Sequence, residues 1–176
     1  MRWPLTPPSS GRPEGRFAPF GPPLMSNVDL QSMPTFRALD VRDCQGTLWA
    51  FFREYQGQAL ASFEGDLSGL HLTDIPGASR DEVDALRRQT VEPELDFCIV
   101  PINQATVSIL KARLSSKGLL GRDGKVIHTQ LQVHGELVFS ACDNFHRECT
   151  VVSSQVTEDF LCALTQQGLL RSYSAG

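Results

Sequence analysis

The chain has no run of apolar residues that approaches the roughly 18 needed to cross a membrane as a helix. Its first 24 residues also lack the apolar stretch of a secretory signal peptide. These absences predict a cytoplasmic protein without a membrane partner. Positive charge is not in excess either, because 16 Lys and Arg residues face 20 Asp and Glu residues, for a net charge of -4. An acidic chain is poorly suited to the electrostatics of DNA or RNA, so we expect no nucleic-acid partner.

The sequence signatures of common enzyme classes are absent as well. There is no Gly-x-x-x-x-Gly-Lys-Ser/Thr phosphate loop, no Gly-x-Gly-x-x-Gly, no Gly-x-Ser-x-Gly and no His-Glu-x-x-His. The five cysteines are an odd number and include no Cys-x-x-Cys pair, which argues against a secreted disulfide scaffold. We therefore expect free thiols, no cofactor and no metal, and we favour a non-enzymatic role.

Composition divides the chain after residue 24. Residues 1–24 hold seven of the 11 prolines and no helical or strand periodicity. We predict that they form a disordered tail, either a linker or sequence upstream of the true start. Residues 25–176 are predicted to form a single globular domain, which is large enough to bury a core without disulfides or metal ions. Because the tail contains three arginines and one glutamate, the domain keeps 13 basic and 19 acidic residues, a net charge of -6.

Apolar periodicity within the domain predicts alternating helices and strands. Four helices are expected over residues 43–55, 79–89, 104–117 and 157–168. Their predicted N-caps are Asp43, Ser79, either Asn103 or Thr106, and Thr157. The second of these helices depends on a capping-box pattern formed by Ser79 and Glu82. Five strands are expected over residues 59–64, 95–102, 127–133, 137–141 and 149–152. This order predicts an α+β fold, with helices packed on one face of a four- to five-stranded, mostly antiparallel sheet.

The register of the hairpin formed by residues 127–141 can be predicted from its alternation. A three-residue loop over 134–136 pairs Val133 with Leu137 and Leu131 with Phe139, which keeps apolar side chains together. A two-residue loop would place polar side chains opposite apolar ones. We therefore predict the three-residue loop.

The segment 141–149, Ala-Cys-Asp-Asn-Phe-His-Arg-Glu-Cys, concentrates reactive and polar side chains where a strand ends. If the chain is an enzyme, the predicted catalytic residues are Cys142 or Cys149 as a nucleophile and His146 as its base. The spacing offers at most three zinc ligands and fits no zinc finger or knuckle, so no metal site is predicted. We favour a recognition loop carried by a rigid scaffold. A purely structural alternative has Phe145 filling the core and the charged residues in solvent.

The size, acidity and missing catalytic motifs of the domain resemble those of bacterial immunity and antitoxin-type proteins, which neutralise a toxin by covering its active site. This resemblance implies a basic protein partner, a cognate toxin, because opposite potentials accelerate encounter. Residues of exposed loops would make the contact, and we predict for it Glu64, Asp66, Asp74, Asp143, His146 and Glu148. Two alternatives stay open: the Cys/His-dependent enzyme described above, and a structural subunit that forms homo-oligomers.

Overall fold

A seven-stranded antiparallel sheet is the frame of the domain in the computed structural model, which describes residues 35–116 and 118–174. The strands are β1 (Phe36–Val41), β2 (Ala59–Gly65), β3 (Asp96–Ile102), β4 (Val126–Val133), β5 (Glu136–Ala141), β6 (Thr150–Ser153) and β7 (Leu170–Tyr173). They are ordered β3-β2-β4-β5-β6-β1-β7 across the sheet, and every neighbouring pair is antiparallel.

The predicted α+β class is confirmed, but the predicted number of strands is too low. The two additional strands are β1 and β7, which pair with each other at one edge of the sheet. In β1, the buried residue Arg37 occupies a position where alternation would call for an apolar side chain. In β7, only Leu170 is buried. Neither strand therefore shows the apolar alternation by which strands are predicted.

Within the described residues, three α-helices pack on one face of the sheet: α1 (Cys44–Glu54), α2 (Gln104–Leu114) and α3 (Glu158–Gln166). Each begins after a predicted cap, since the side chains of Asp43, Asn103 and Thr157 accept backbone N–H groups of the first turn at 2.9, 3.0 and 3.3 Å. All three helices contribute buried side chains to the same large hydrophobic cluster as the sheet.

Aromatic rings join α1 to its neighbours in this core. The Phe51 ring lies with its centroid 4.7 Å from that of Phe139 in β5 and 5.2 Å from that of Phe160 in α3. The next residue, Phe52, meets Phe63 of β2 edge-to-face at 6.3 Å. Such contacts add to the free energy gained by burying the rings, so α1 links β2, β5 and α3 in the core.

The predicted helix over 79–89 is wrong, and an irregular segment takes its place. Ser79 pairs with Ile99 of β3 through two backbone hydrogen bonds of 2.9 and 2.7 Å. Its hydroxyl accepts the Asp81 N–H at 2.9 Å in a local turn, so the hydroxyl that would cap a helix is used otherwise. We refer to residues 79–95 as the crossing segment, because they lie across the second face of the sheet.

The β4–β5 hairpin has the predicted register far from its loop but not near it. Leu131 lies opposite Phe139, as predicted. The loop has only two residues, 134–135, both with positive φ, which is the conformation of a tight hairpin turn. A β-bulge just beyond the turn restores the apolar pairing. The predicted pairing of Val133 with Leu137 is therefore wrong, and Leu137 packs on the second face.

The predicted tail of residues 1–24 and the predicted domain start at residue 25 lie outside the described residues. The described residues belong to one compact unit. Within 35–116 and 118–174, none of the helices has both the length and the apolarity that a membrane span requires.

Candidate functional site

The second face of the sheet, opposite the helices, is polar although it is covered. Strand positions that alternate with the core positions place five buried polar side chains there: Ser62, Glu64, Gln130, Gln132 and Ser140. Buried polar groups are costly unless they are hydrogen-bonded. The crossing segment supplies part of this bonding, because Gln130 Oε1 accepts the Arg87 N–H at 3.2 Å. The crossing segment thus supplies hydrogen-bond partners to the buried polar side chains, and these side chains hold the segment on the sheet.

Glu64 is the main anchor of the crossing segment. Its two carboxylate oxygens accept the backbone N–H groups of Gln89 and Thr90 at 2.7 and 2.9 Å. The residue is only 2% exposed. The expectation that Glu64 lies in an exposed loop is therefore wrong, because its carboxylate is buried and hydrogen-bonded inside the domain.

An apolar contact adds to this polar anchor. Leu86 of the crossing segment is fully buried in a small hydrophobic cluster with Phe97 and Ile99 of β3. The guanidinium of Arg88 lies 4.9 Å from the centroid of the Phe97 ring, a distance at which a cation and an aromatic face attract each other. The crossing segment is thus attached at its start by the backbone of Ser79, in its middle by Leu86, and towards its end by the backbone of Gln89 and Thr90.

His128, which faces Glu64 across β2 and β4, links the crossing segment to the chain after β5. Its Nδ1 accepts the Asp143 N–H at 3.1 Å. In the neutral imidazole the proton therefore resides on Nε2, which donates to Thr90 Oγ1 at 2.9 Å. No pattern in the sequence singles out His128, because only the register of the sheet brings it between these two partners.

The outward surface of the crossing segment is acidic and bears two exposed valines. Residues 79–95 contain five carboxylates and three arginines, and all five acidic residues are exposed. Only Glu82 and Asp84 pair with arginines of the segment, at 3.4 and 3.6 Å. Val83 and Val91 are 37% and 89% exposed. The crossing segment thus carries a net charge of -2, a third of the net charge predicted for the domain.

The loop over 142–149 has a strained backbone. Asp143, Asn144 and Phe145 have φ values of 47°, 57° and 64°, a region that costs a side chain about 1–2 kcal/mol per residue. The Asn144 N–H donates to the Ile127 carbonyl at 2.8 Å. Phe145 is 7% exposed, with its ring centroid 6.1 Å from a core phenylalanine of β5. Phe145 thus fills the core, as the structural alternative predicts, and holds the loop in place.

The structure brings Cys142, His146 and Cys149 into the same loop but does not join them. In the described part of the chain, no hydrogen bond connects the His146 ring with either sulfur. The His146 Nδ1 instead accepts the Glu148 N–H at 3.4 Å, while the Cys149 thiol donates to the Cys142 carbonyl at 3.3 Å. Burial is the largest effect on both thiols, and it raises the pKa of Cys142 and of Cys149. A raised pKa disfavours the thiolate that nucleophilic catalysis needs.

A cavity of about 680 Å³ opens beside this loop. Three arginines from separate parts of the fold line it: Arg122 from the turn before β4, Arg147 from the loop and Arg171 from β7. Asp143 and His146, both predicted from the sequence, line it too. The three arginines cannot be grouped from the sequence, because they lie far apart along the chain and share no motif. We refer to this space as the arginine cavity.

The remaining predicted residues lie elsewhere on the surface. Asp66 accepts the Lys125 ammonium at 2.9 Å, and hydrogen bonds from Ser68 and from Lys125 lower its pKa to about 2. Asp74 is 64% exposed in its side chain and lies 3.5 Å from the His71 ring. Glu148 is exposed in the 142–149 loop. Asp66 and Asp74 thus do not line the arginine cavity, although all three residues are accessible to a partner.

Neither a metal centre nor a known relative indicates the function of this site. Among residues 35–116 and 118–174, no group of three His, Cys, Asp or Glu side chains could hold a metal ion. Comparison of the chain with family models, with curated proteins and with solved structures finds no match. Function is therefore inferred from the two surfaces described above, the crossing segment and the arginine cavity.

Proposed function

We propose that this chain is a cytoplasmic binding protein that docks a basic protein partner on its crossing segment. Its activity would be that of an immunity or antitoxin-type protein, which neutralises a cognate toxin by covering the toxin's active site. The free cysteines of the described residues fit a reducing compartment, in which such a protein would act.

The observation that carries this proposal is the exposure of Val91. This side chain is 89% exposed and is followed closely by Glu92 and Glu94, both exposed. Interfaces commonly combine a desolvated apolar anchor with a charged rim. An exposed valine followed closely by two exposed carboxylates provides both elements for a partner that carries an apolar pocket with basic residues around it.

The attachment of the crossing segment also favours binding. Gln89 and Thr90, directly before Val91, are fixed by the buried carboxylate of Glu64. A contact surface that is already ordered loses less conformational entropy when a partner binds. Long loops without regular structure are commonly functional, and this one is held in place by side chains of the polar sheet face.

The proposed surface continues toward several residues predicted from the sequence. His128 connects Thr90 with Asp143, and Asp143, His146 and Glu148 are exposed in the following loop. We propose that they extend the contact at one end of the crossing segment. Asp66 and Asp74 remain candidates for peripheral contacts, which affect encounter rates more than affinity.

The two alternatives receive less support from the geometry. The Cys/His-dependent enzyme requires a base in contact with a thiol, and the hydrogen bonds of His146 and Cys149 run to backbone groups instead. A homo-oligomeric scaffold requires a contiguous apolar patch. In the described part of the chain, the exposed large hydrophobic residues are Phe36, Val83 and Val91.

The proposal can be tested by affinity capture from the native host with the full chain as bait. We expect a basic protein that is captured by the wild type and lost from the double variant Glu92→Gln/Glu94→Gln. The matched control is Glu54→Gln/Glu136→Gln, which removes the same charge from exposed residues outside the segment and should capture as the wild type does. Equal loss from both variants would show that total charge, and not this surface, governs binding.

A further inference from the structure

The arginine cavity combines unpaired charges of both signs, of which the proposed function uses only Asp143. Arg171 is engaged, since it donates to the Asp40 carboxylate at 2.8 Å and to the Val41 carbonyl at 3.1 Å. Arg122 and Arg147 take part in none of the ion pairs found among the described residues. The cavity thus presents two guanidinium groups that are free to bind an oxyanion.

Two carboxylates of the same cavity are also unpaired. Asp123 and Asp143 line it together with the arginines, yet no ion pair of the described residues includes them. Because these arginines and aspartates form no ion pairs with one another, each can bind an oppositely charged group of a ligand in the cavity. A ligand with an oxyanion alone would be repelled by the carboxylates, and a simple cation would be repelled by the arginines.

The backbone around the cavity is strained in a way that points to function. Six non-glycine residues of the described chain have a positive φ. Four of the six line this cavity: Asp123, Asp143, Asn144 and Phe145. Left-handed conformations of such residues cost free energy and tend to cluster at ligand sites, where they fix side-chain directions. Here they constrain the backbone from which the two unpaired carboxylates extend.

We propose that the arginine cavity binds a small zwitterion that carries a carboxylate and an ammonium group, as a free amino acid does. Arg122 and Arg147 bind the carboxylate, for which the planar guanidinium is well suited. Asp123 and Asp143 bind the ammonium. Phe145 and Val41 provide apolar lining for a side chain, and the volume of about 680 Å³ is within the range of small-molecule sites.

The test is an NMR titration of the isotope-labelled full chain with each protein amino acid in turn, at up to about 10 mM. We expect at least one amino acid to shift the backbone amides of residues 122–123 and 143–147 in a saturable manner. The double variant Arg122→Gln/Arg147→Gln should weaken binding about tenfold or more, because it removes charge-assisted hydrogen bonds. Arg53→Gln, which changes an exposed arginine of α1, should bind as the wild type does.

A matched set of compounds separates the zwitterion from its parts. Phenylalanine is compared with hydrocinnamate, which lacks the amine, and with phenethylamine, which lacks the carboxylate; the corresponding analogues replace them if another amino acid binds best. We expect both analogues to bind about tenfold more weakly or worse. Asp123→Asn should weaken the amino acid but strengthen hydrocinnamate, because a repelling carboxylate is removed. The proposal is overturned if no amino acid shifts these amides, if hydrocinnamate binds as tightly as the amino acid, or if Arg122→Gln/Arg147→Gln binds as the wild type does.

Discussion

The crossing segment and the 142–149 loop are both irregular, yet they are held in opposite ways. The crossing segment is attached by side chains from the sheet below it, above all by the Glu64 carboxylate. The 142–149 loop inserts its own residue Phe145 into the core, and its backbone has unfavourable positive φ values at residues 143–145. The first should therefore detach without unfolding the domain, whereas the second should loosen only when the core does.

The largest effect is expected for Phe145→Ala. Loss of a ring that is 7% exposed leaves a cavity in the core and should lower the free energy of unfolding by about 3 kcal/mol. Chemical denaturation monitored by circular dichroism measures this change in the free energy of unfolding. Phe36→Ala, at a residue that is 41% exposed, is the control and should change stability by less than about 1 kcal/mol. If the two variants are equally stable, the loop is not anchored in the core.

The next effect is expected for Glu64→Ala, which should release the crossing segment. Two backbone N–H groups lose a charged acceptor, at a cost of about 2–3 kcal/mol. Hydrogen exchange should become faster over residues 79–95 and remain unchanged in the core helices. Glu92→Ala, an exposed carboxylate of the same segment, should leave exchange unchanged. Faster exchange throughout the domain would contradict the local role of Glu64.

A small effect of opposite sign is expected for Asp143→Gly. Its φ of 47° is unfavourable for a side chain but not for glycine, so the variant should be more stable by about 0.5 kcal/mol, after the greater chain entropy of glycine is subtracted. Thermal unfolding measures the change. Asp159→Gly in helix α3 should be destabilising and serves as the control. A loss of stability in Asp143→Gly would mean that this position is not strained.

The smallest effect concerns the pH dependence contributed by Asp66. Its pKa is lowered from 3.8 to about 2 by hydrogen bonds from Ser68 and Lys125, so its ionised form favours the folded state. That contribution is complete above its unfolded pKa and is lost as the pH falls from about 4 towards 2. The difference in stability between wild type and Asp66→Asn should therefore shrink over this range, as acid denaturation can measure. A constant difference would contradict the lowered pKa.

The sequence predicts the elements whose signals are local. The caps Asp43, Asn103 and Thr157 mark the beginnings of the helices correctly, because capping involves residues only two or three positions away. The Ser79 pattern is equally local but fails, since the hydroxyl closes a turn and the backbone pairs with Ile99 of β3. A tertiary contact overrides the local preference there.

The site is less predictable than the fold. Asp143, His146 and Glu148 could be selected because the 142–149 loop is compact in sequence. The arginines of the cavity could not, since Arg122 and Arg171 meet the loop only after the sheet has formed. Glu64, in contrast, could be selected from the sequence but for the wrong reason. An acidic residue is expected to be exposed, whereas in the folded sheet the crossing segment covers Glu64.

The most direct test of the proposed function is the dissociation constant of the captured partner for wild type and for Val91→Ala. If Val91 is the apolar anchor of the contact, the variant loses two buried methyl groups and should bind about tenfold more weakly, while Phe36→Ala, another exposed hydrophobic residue, should bind as the wild type does. Equal affinities of wild type and Val91→Ala, or a larger loss for Phe36→Ala, would contradict the claim that the partner docks on the crossing segment.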